Sequence, residues 1–91
     1  MKIVYSEHFN DRLKYRKKTS PVPLTIELVE SAILNPDFVI PDPGHPNREW
    51  RVKKIGGRCL KVIVEIPEER DKLIAITVMF DRALKRKGLC E

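Results

Sequence analysis

Glutamine is absent from this sequence, cysteine occurs only twice, and no apolar run is long. A membrane-spanning helix needs roughly 20 consecutive apolar residues, so we expect no membrane span. Residues 1–8 contain no continuous apolar stretch, which predicts that no signal peptide is present. Cys59 and Cys90 are too few for a disulfide framework, and neither has the C-x-x-C partner of a zinc site. We therefore expect two unpaired thiols in a reducing compartment, and a cytoplasmic protein.

The length and composition indicate one small basic domain. Its 91 residues can bury one hydrophobic core, so we expect a single domain over residues 1–91. The 18 basic and 13 acidic residues leave a formal net charge of +5. A basic surface favours anionic partners such as RNA, DNA or an acidic protein, and does not choose among them. The 34% of charged residues, beside the lack of glutamine, is typical of thermophilic proteins.

Two helices are predicted in the first part of the chain. Ser6 and Thr25 are suitable N-caps, and each is followed within two residues by a glutamate that favours the positive end of a helix. We expect the first helix to end near residues 17–18, because prolines follow shortly afterwards. Asn35-Pro36 should end the second helix. Both helices have apolar stripes that need a surface to cover.

Strands are predicted at residues 2–5, 38–40, 49–55, 58–66 and 72–80, with Gly56-Gly57 as a two-residue hairpin turn. Alternation along these strands predicts an apolar layer under the helices, formed by Trp50, Val52, Leu60, Val62, Val64, Ile66, Ile74, Ile76, Val78 and Phe80. The opposite layer takes Glu49, Arg51, Lys53, Cys59, Lys61, Ile63, Glu65, Ala75, Thr77 and Met79. We therefore expect an uncovered, basic sheet face, although a change of register by one residue would reverse these assignments.

Short motifs in a defined order carry a family resemblance. The first helix reads His8-Phe9-Asn10-Asp11-Arg12-Leu13-Lys14-Tyr15-Arg16, and the second ends in Leu34-Asn35-Pro36-Asp37. The strands read Arg51-Val52-Lys53-Lys54, then Arg58-Cys59-Leu60-Lys61-Val62-Ile63-Val64 after the glycine turn, then Ile74-Ala75-Ile76-Thr77-Val78. In this order, from His8 to Arg82, the chain resembles an uncharacterised family of short bacterial and archaeal proteins related to RelE and BrnT toxins. It departs from that pattern in the longer, proline-rich segment 17–23 and in Phe9, which replaces a small residue.

The resemblance implies a RelE-like α+β domain, with two N-terminal helices packed on one face of a twisted antiparallel sheet of three to five strands. Active RelE-like toxins cleave mRNA without a metal, often on the ribosome, and are neutralised by an antitoxin. The resemblance therefore implies RNA, including ribosome-bound mRNA, and an antitoxin as partners, with no cofactor and no membrane. It leaves the oligomeric state open, and because catalytic residues vary within the group, it leaves activity open too.

The candidate catalytic residues are His8, Arg12, Glu49 and Arg51. Cleavage by the 2′-hydroxyl of RNA needs a base, an acid and cations for the phosphate. His8 is an acid or base candidate because imidazole titrates near neutral pH. Arg12 lies one helical turn from His8. Arg51 is a candidate phosphate clamp, and Glu49 is a candidate base. His8, Arg12 and Glu49 have structural alternatives, which are respectively a surface histidine, a solvated helix face and a cross-strand ion pair with a lysine.

The candidate RNA-binding residues are Arg16, Lys53, Arg58, Lys61 and Thr77. The four cations would hold phosphates, and the threonine would donate a hydrogen bond. His8 and His45 are too far apart in sequence for a recognisable metal site. The resemblance and these residues together lead us to expect a RelE-like RNA-binding protein, either a metal-independent endoribonuclease toxin or a non-catalytic module that binds RNA or protein. A third alternative is an inert relative that dimerises through a sheet edge.

Overall fold

The computed structural model of the chain describes residues 2–20 and 22–91. Met1 and Pro21, which lies within the proline-rich segment, are outside the described residues. The elements are β1 (Lys2–Tyr5), α1 (Glu7–Thr19), α2 (Ile26–Leu34), β2 (Phe38–Pro41), β3 (Arg48–Ile55), β4 (Arg58–Glu65), β5 (Lys72–Phe80) and α3 (Arg82–Arg86).

The five strands form one mixed sheet in the order β1-β5-β4-β3-β2. Strands β2 to β5 pair antiparallel, whereas β1 pairs parallel to β5, with Ile3 opposite Leu73. The α+β class is therefore confirmed. The prediction of a wholly antiparallel sheet was wrong. All the elements from α1 to β4 lie between β1 and β5 in sequence, and this long connection allows β5 to lie beside β1 in the same direction.

Both predicted N-caps start their helices. The Ser6 hydroxyl accepts a hydrogen bond from the Phe9 N–H at 3.0 Å, and the Thr25 hydroxyl accepts one from the Leu28 N–H at 3.1 Å. The two helices lie on the same face of the sheet, called here the helix face. α1 packs mainly against β5, and α2 packs against β3 and β4.

Beneath the helices lies the main hydrophobic core. It joins the buried helix residues, such as Phe9 and Ile33, to the apolar side chains of β4 and β5. The sheet residues in this core are Leu60, Val62, Val64, Leu73, Ala75 and Val78. Burial of these side chains is the main source of stability, and it fixes which face of β4 points towards the helices.

The register of the β3–β4 hairpin corrects the predicted faces. Gly56 and Gly57 form the two-residue turn with φ values of 54° and 79°, as type I′ turns require. Ile55 therefore lies opposite Arg58, and every odd-numbered residue of β3 lies opposite an even-numbered residue of β4. Glu49, Arg51 and Lys53 thus share the helix face with Val64, Val62 and Leu60. Trp50 and Val52, which were predicted there, lie on the opposite face, called here the second face, with Ile63 and Lys61.

A β-bulge also changes the predicted faces of β5. Ile63 lies opposite Thr77, but the next residue, Val64, lies opposite Ala75, so Ile76 is an extra residue. Before the bulge Ala75 points to the helix face, and after it Val78 does so. The prediction that Ile74 and Ile76 belong to the apolar layer under the helices was therefore wrong.

The second face is partly covered by the C-terminal segment. α3 follows the N-cap Asp81, whose carboxylate accepts a hydrogen bond from the Leu84 N–H at 3.0 Å. Leu84 and Cys90 pack on Val52 and Cys59 to form a second, smaller core. Cys59 and Cys90 are joined by a disulfide bond, with their Cα atoms 5.5 Å apart, within the range that disulfides require. The prediction of two unpaired thiols was wrong, and the cytoplasmic location loses the support of that argument.

Candidate anion-binding site

Two of the predicted functional cations instead bind the end of α2. Arg51 Nη1 donates a hydrogen bond to the carbonyl oxygen of Ile33 at 2.8 Å, and Lys53 Nζ donates one to that of Asn35 at 3.1 Å. The last turn of α2 contains no basic residue of its own. Strand β3 therefore supplies the positive charge that the C-terminal end of a helix favours.

Glu49, the candidate general base, is the ion-pair partner of Arg51. Its Oε1 atom lies 2.7 Å from Arg51 Nη2, and both side chains are about one-fifth exposed. The pair lies on the helix face beside α2, whereas His8 and Arg12 are exposed on α1. Within the described part of the chain, no hydrogen bond or ion pair joins Glu49 or Arg51 to His8 or Arg12. The four candidate catalytic residues do not form one connected group.

Lys61 lies on the second face and is almost completely buried, at 7% exposure. Its Nζ atom donates a hydrogen bond to Asp81 Oδ2 at 2.7 Å and lies 4.0 Å from the centroid of the Trp50 ring. Burial raises the pKa of Asp81, but hydrogen bonds from Lys61 and the Leu84 N–H lower it by more, so the net pKa is below its usual value. Lys61 is therefore the anchor of the α3 N-cap and not a surface ligand.

Thr77 is also buried on the second face, opposite Ile63 and at 9% exposure. Together, the positions of Arg51, Lys53, Lys61 and Thr77 overturn the predicted open basic face. The cations point to opposite sides of the sheet and bind groups of the protein itself.

Two other predicted residues, Arg16 and Arg58, do come together. They line a cavity of about 180 Å³ at the hairpin end of the sheet, called here the basic pocket, with Cys59, Phe80, Arg82 and Lys85. α1 begins where the Ser6 N–H donates to the Ala75 carbonyl oxygen, and the helix runs along β5 towards Phe80. Since Phe80 lies opposite Leu60, the last turn of α1 meets the start of β4 and α3 at this point.

The basic pocket contains four cations: Arg16, Arg58, Arg82 and Lys85. In residues 2–20 and 22–91, none of the four forms an ion pair. Asp81 is the only acidic residue among the described residues that line the pocket, and its carboxylate is held by Lys61 and the Leu84 N–H. The positive charge of the pocket is therefore not neutralised from within.

The donors available in the pocket are the guanidinium groups of Arg16, Arg58 and Arg82 and the ammonium group of Lys85. Arg16 Nε itself is buried and has no hydrogen-bond partner among the described residues, so an anion in the pocket would meet the other nitrogens of this guanidinium. The hydroxyls of Thr19 and Ser20, which also line the pocket, already donate to the carbonyl oxygens of Tyr15 and Val22. Planar guanidinium groups match the oxygens of phosphate and carboxylate, so the pocket suits an anion of this shape.

Arg82 and Lys85 were not among the predicted site residues. The run Arg82-Ala83-Leu84-Lys85-Arg86-Lys87 is strongly basic, and residues three apart share a helical face. That signal was present in the sequence. What the sequence did not show is that α3 folds back beside β4 and places both cations opposite Arg16.

A larger cavity of about 370 Å³ lies at the other end of the sheet, lined by residues such as Pro41, Arg48, Glu49, Glu68 and Arg70. Its charges are mixed, and Arg48 is paired with Glu65 at 3.1 Å. It therefore lacks the uniform charge of the basic pocket. The described residues contain no group of three or more His, Cys, Asp or Glu side chains that could hold a metal ion.

Comparisons with models of protein families, with curated proteins and with solved structures find no match for the chain. None of the described helices is long and apolar enough to cross a membrane. The RelE-like resemblance therefore depends on the sequence motifs, and the basic pocket is the structural feature that bears on function.

Proposed function

We propose that this chain is a RelE-like RNA-binding protein that holds a backbone phosphate of RNA in the basic pocket. The observation that carries the proposal is the convergence of Arg16, Arg58, Arg82 and Lys85 on one cavity without a counter-ion among the described residues. Cations that meet a phosphate in a partly enclosed site bind it more strongly than isolated surface cations do.

The surroundings of the pocket favour RNA over a small anion. Tyr15 is 55% exposed, and the guanidinium carbon of Arg16 lies 5.6 Å from the centroid of its ring. An exposed aromatic ring beside a phosphate-binding arginine suits an unpaired base, which stacks while its phosphate is held. Arg12 precedes Arg16 by one helical turn, about 6 Å along the axis, and extends the positive charge along the exposed side of α1.

Binding without cleavage is the form of the proposal that the geometry favours. Glu49 and Arg51 are engaged with each other and with α2, so neither is available to RNA in the basic pocket. His8 remains the acid or base candidate of a metal-independent endoribonuclease, and it lies two helical turns before Arg16. More specifically, we propose a cytoplasmic toxin that is paired with an antitoxin. A cytoplasmic location requires that the Cys59–Cys90 disulfide form in the cytoplasm, as disulfides do in hyperthermophiles.

The test is a titration of the full chain with a fluorescently labelled single-stranded RNA at several salt concentrations. The double variant R16A/R58A should bind RNA far more weakly. Its plot of the logarithm of the binding constant against the logarithm of the salt concentration should be less steep, by roughly one for each phosphate that it no longer neutralises. A double variant K2A/K72A is the matched control, because it removes the same charge at the opposite end of β5. Equal affinities of the two double variants, or an unmodified chain that does not bind RNA, would overturn the proposal.

A further inference from the structure

We propose that the Cys59–Cys90 disulfide is a redox control on the basic pocket: the oxidised chain binds anions tightly, and the reduced chain binds them weakly. The inference rests on the proposed function to the extent that it assumes the pocket binds RNA phosphate. The proposal depends on where the disulfide lies. Cys59 follows Arg58 and lines the pocket, and its partner Cys90 lies in the C-terminal segment that also contains Arg82 and Lys85.

The position of α3 depends on few contacts. The helix has five residues, which is too short to be stable in isolation, and Leu84 is its only buried residue. Besides the disulfide, it is held by the Asp81–Lys61 ion pair, by a hydrogen bond of 2.9 Å from the Asp81 N–H to the Cys59 carbonyl oxygen, and by the small core of Val52, Cys59, Leu84 and Cys90 with the partly buried side chains around it. The disulfide joins positions 31 residues apart and ties this segment covalently to the sheet.

Reduction of the disulfide releases only the side of the pocket that α3 forms. Arg16 and Arg58 belong to α1 and β4, which pack through the main core and do not depend on the disulfide. Arg82 and Lys85 belong to α3 and lose their fixed position when the C-terminal segment opens. Two of the four cations then remain in place, so the affinity falls without disappearing.

The redox step needs a dithiol as reductant. Its thiolate attacks one sulfur of the Cys59–Cys90 bond and forms a mixed disulfide, and its second thiolate then displaces the protein sulfur. The protein disulfide becomes two thiols, which take up two protons, and the reductant becomes a cyclic disulfide after giving up two electrons. Cys90 is 2% exposed, but residues 85–89 and 91 around it are exposed, so local opening of the C-terminal segment gives the reductant access.

The experiment compares RNA binding by the full chain in its oxidised form and after reduction with dithiothreitol, with thiol alkylation and mass measurement to establish each state. The probe is the labelled single-stranded RNA, and inorganic phosphate serves as a competitor. We expect the oxidised chain to bind roughly tenfold more tightly than the reduced chain. C90S should bind like the reduced chain under both conditions, because it cannot form the bond.

Two further measurements distinguish local control of the pocket from unfolding of the whole chain. R82A/K85A should bind like the reduced chain and lose its dependence on dithiothreitol, since the cations that the disulfide positions are gone. Hydrogen exchange should increase in residues 81–91 on reduction, while β4 and β5 stay protected. Global unfolding on reduction, or C90S that binds as tightly as the oxidised chain, overturns the redox control and leaves the proposed function intact. An oxidised chain that binds no RNA overturns both.

Discussion

Arg51 and Ile33 join the sheet to the second helix through a hydrogen bond of 2.8 Å, from the guanidinium of β3 to a carbonyl oxygen in the last turn of α2. That carbonyl belongs to the group that every helix leaves without an internal partner. Glu49 holds the other end of the guanidinium at 2.7 Å. The three residues therefore fix the end of α2 against the hairpin, and the charge of Arg51 stabilises the fold.

We predict that R51A lowers the free energy of unfolding and leaves RNA binding nearly unchanged. The substitution removes a charged hydrogen-bond donor from Ile33 and an ion-pair partner from Glu49, which should cost about 2 kcal/mol. Urea unfolding followed by circular dichroism measures the loss. K53A is the comparison, because its hydrogen bond to Asn35 is exposed and should contribute less than about 1 kcal/mol. Weaker RNA binding by a stable R51A would show that Arg51 contacts the ligand.

The hairpin turn gives a second prediction. Gly56 and Gly57 both have positive φ values, and a Cβ atom at either position would meet no described atom within 4 Å. Only backbone strain therefore opposes a side chain. G57A should lower the free energy of unfolding by about 1 kcal/mol, whereas G56N should be close to neutral, because Asn-Gly is the preferred pair in a type I′ turn. Equal losses in the two variants would indicate a different turn.

The same turn shows how far the sequence could predict the fold. The two N-caps and the Gly56-Gly57 turn were predicted correctly from residue type. A two-residue turn at Gly56-Gly57 places each odd-numbered residue of β3 opposite an even-numbered residue of β4. Arg51 must then lie opposite Val62 and on the same face of the sheet, which could have been deduced from the turn that was already predicted. The error arose because Trp50 and Val52 are apolar and were assigned to the helix layer, although the second face has an apolar layer of its own.

Other features left no such signal in the sequence. The bulge at Ile76 occurs in a regular run of strand-forming residues, with no glycine or proline to mark it. The pairing of Cys59 with Cys90 requires that α3 return along β4, which depends on Asp81, Lys61 and Leu84 together. The basic pocket forms where these tertiary contacts meet the end of α1. Arg16 and Arg58 were predicted individually and the basic run at 82–87 was visible in the sequence, but their meeting in one pocket was not.

A third prediction concerns Asp81 and acid. Burial raises the pKa of this carboxyl group, but its hydrogen bonds with Lys61 and Leu84 lower it by more, so the net shift is downward from 3.8. Because the pKa is lower in the folded state, the ionised carboxylate stabilises the fold at pH values above the unfolded-state pKa, near 3.8. This stabilisation is lost as the pH falls through the folded-state pKa. The free energy of unfolding of the unmodified chain should therefore decline below about pH 4 in part through Asp81.

D81N isolates this contribution. Asparagine still caps a helix, so the substitution removes the charge opposite the buried Lys61 and keeps the N-cap. At pH 7 the variant should be less stable by about 2 kcal/mol, and the difference should shrink as the pH is lowered to about 3. Urea unfolding of both chains across that pH range measures it. A difference that stays constant with pH would show that the ion pair with Lys61 does not stabilise the fold.

The last prediction separates RNA binding from RNA cleavage. H8A should bind labelled single-stranded RNA nearly as well as the unmodified chain, because His8 is exposed two helical turns before Arg16 and does not line the basic pocket. R58A should bind several-fold more weakly, since it removes one of the four cations. With a chelator present, neither variant nor the unmodified chain should generate fragments with cyclic phosphate ends. Such fragments from the unmodified chain, and their absence with H8A, would make the protein a metal-independent endoribonuclease with His8 in its reaction. If His8 only contacted RNA, its removal could not abolish cleavage while leaving the affinity for RNA intact.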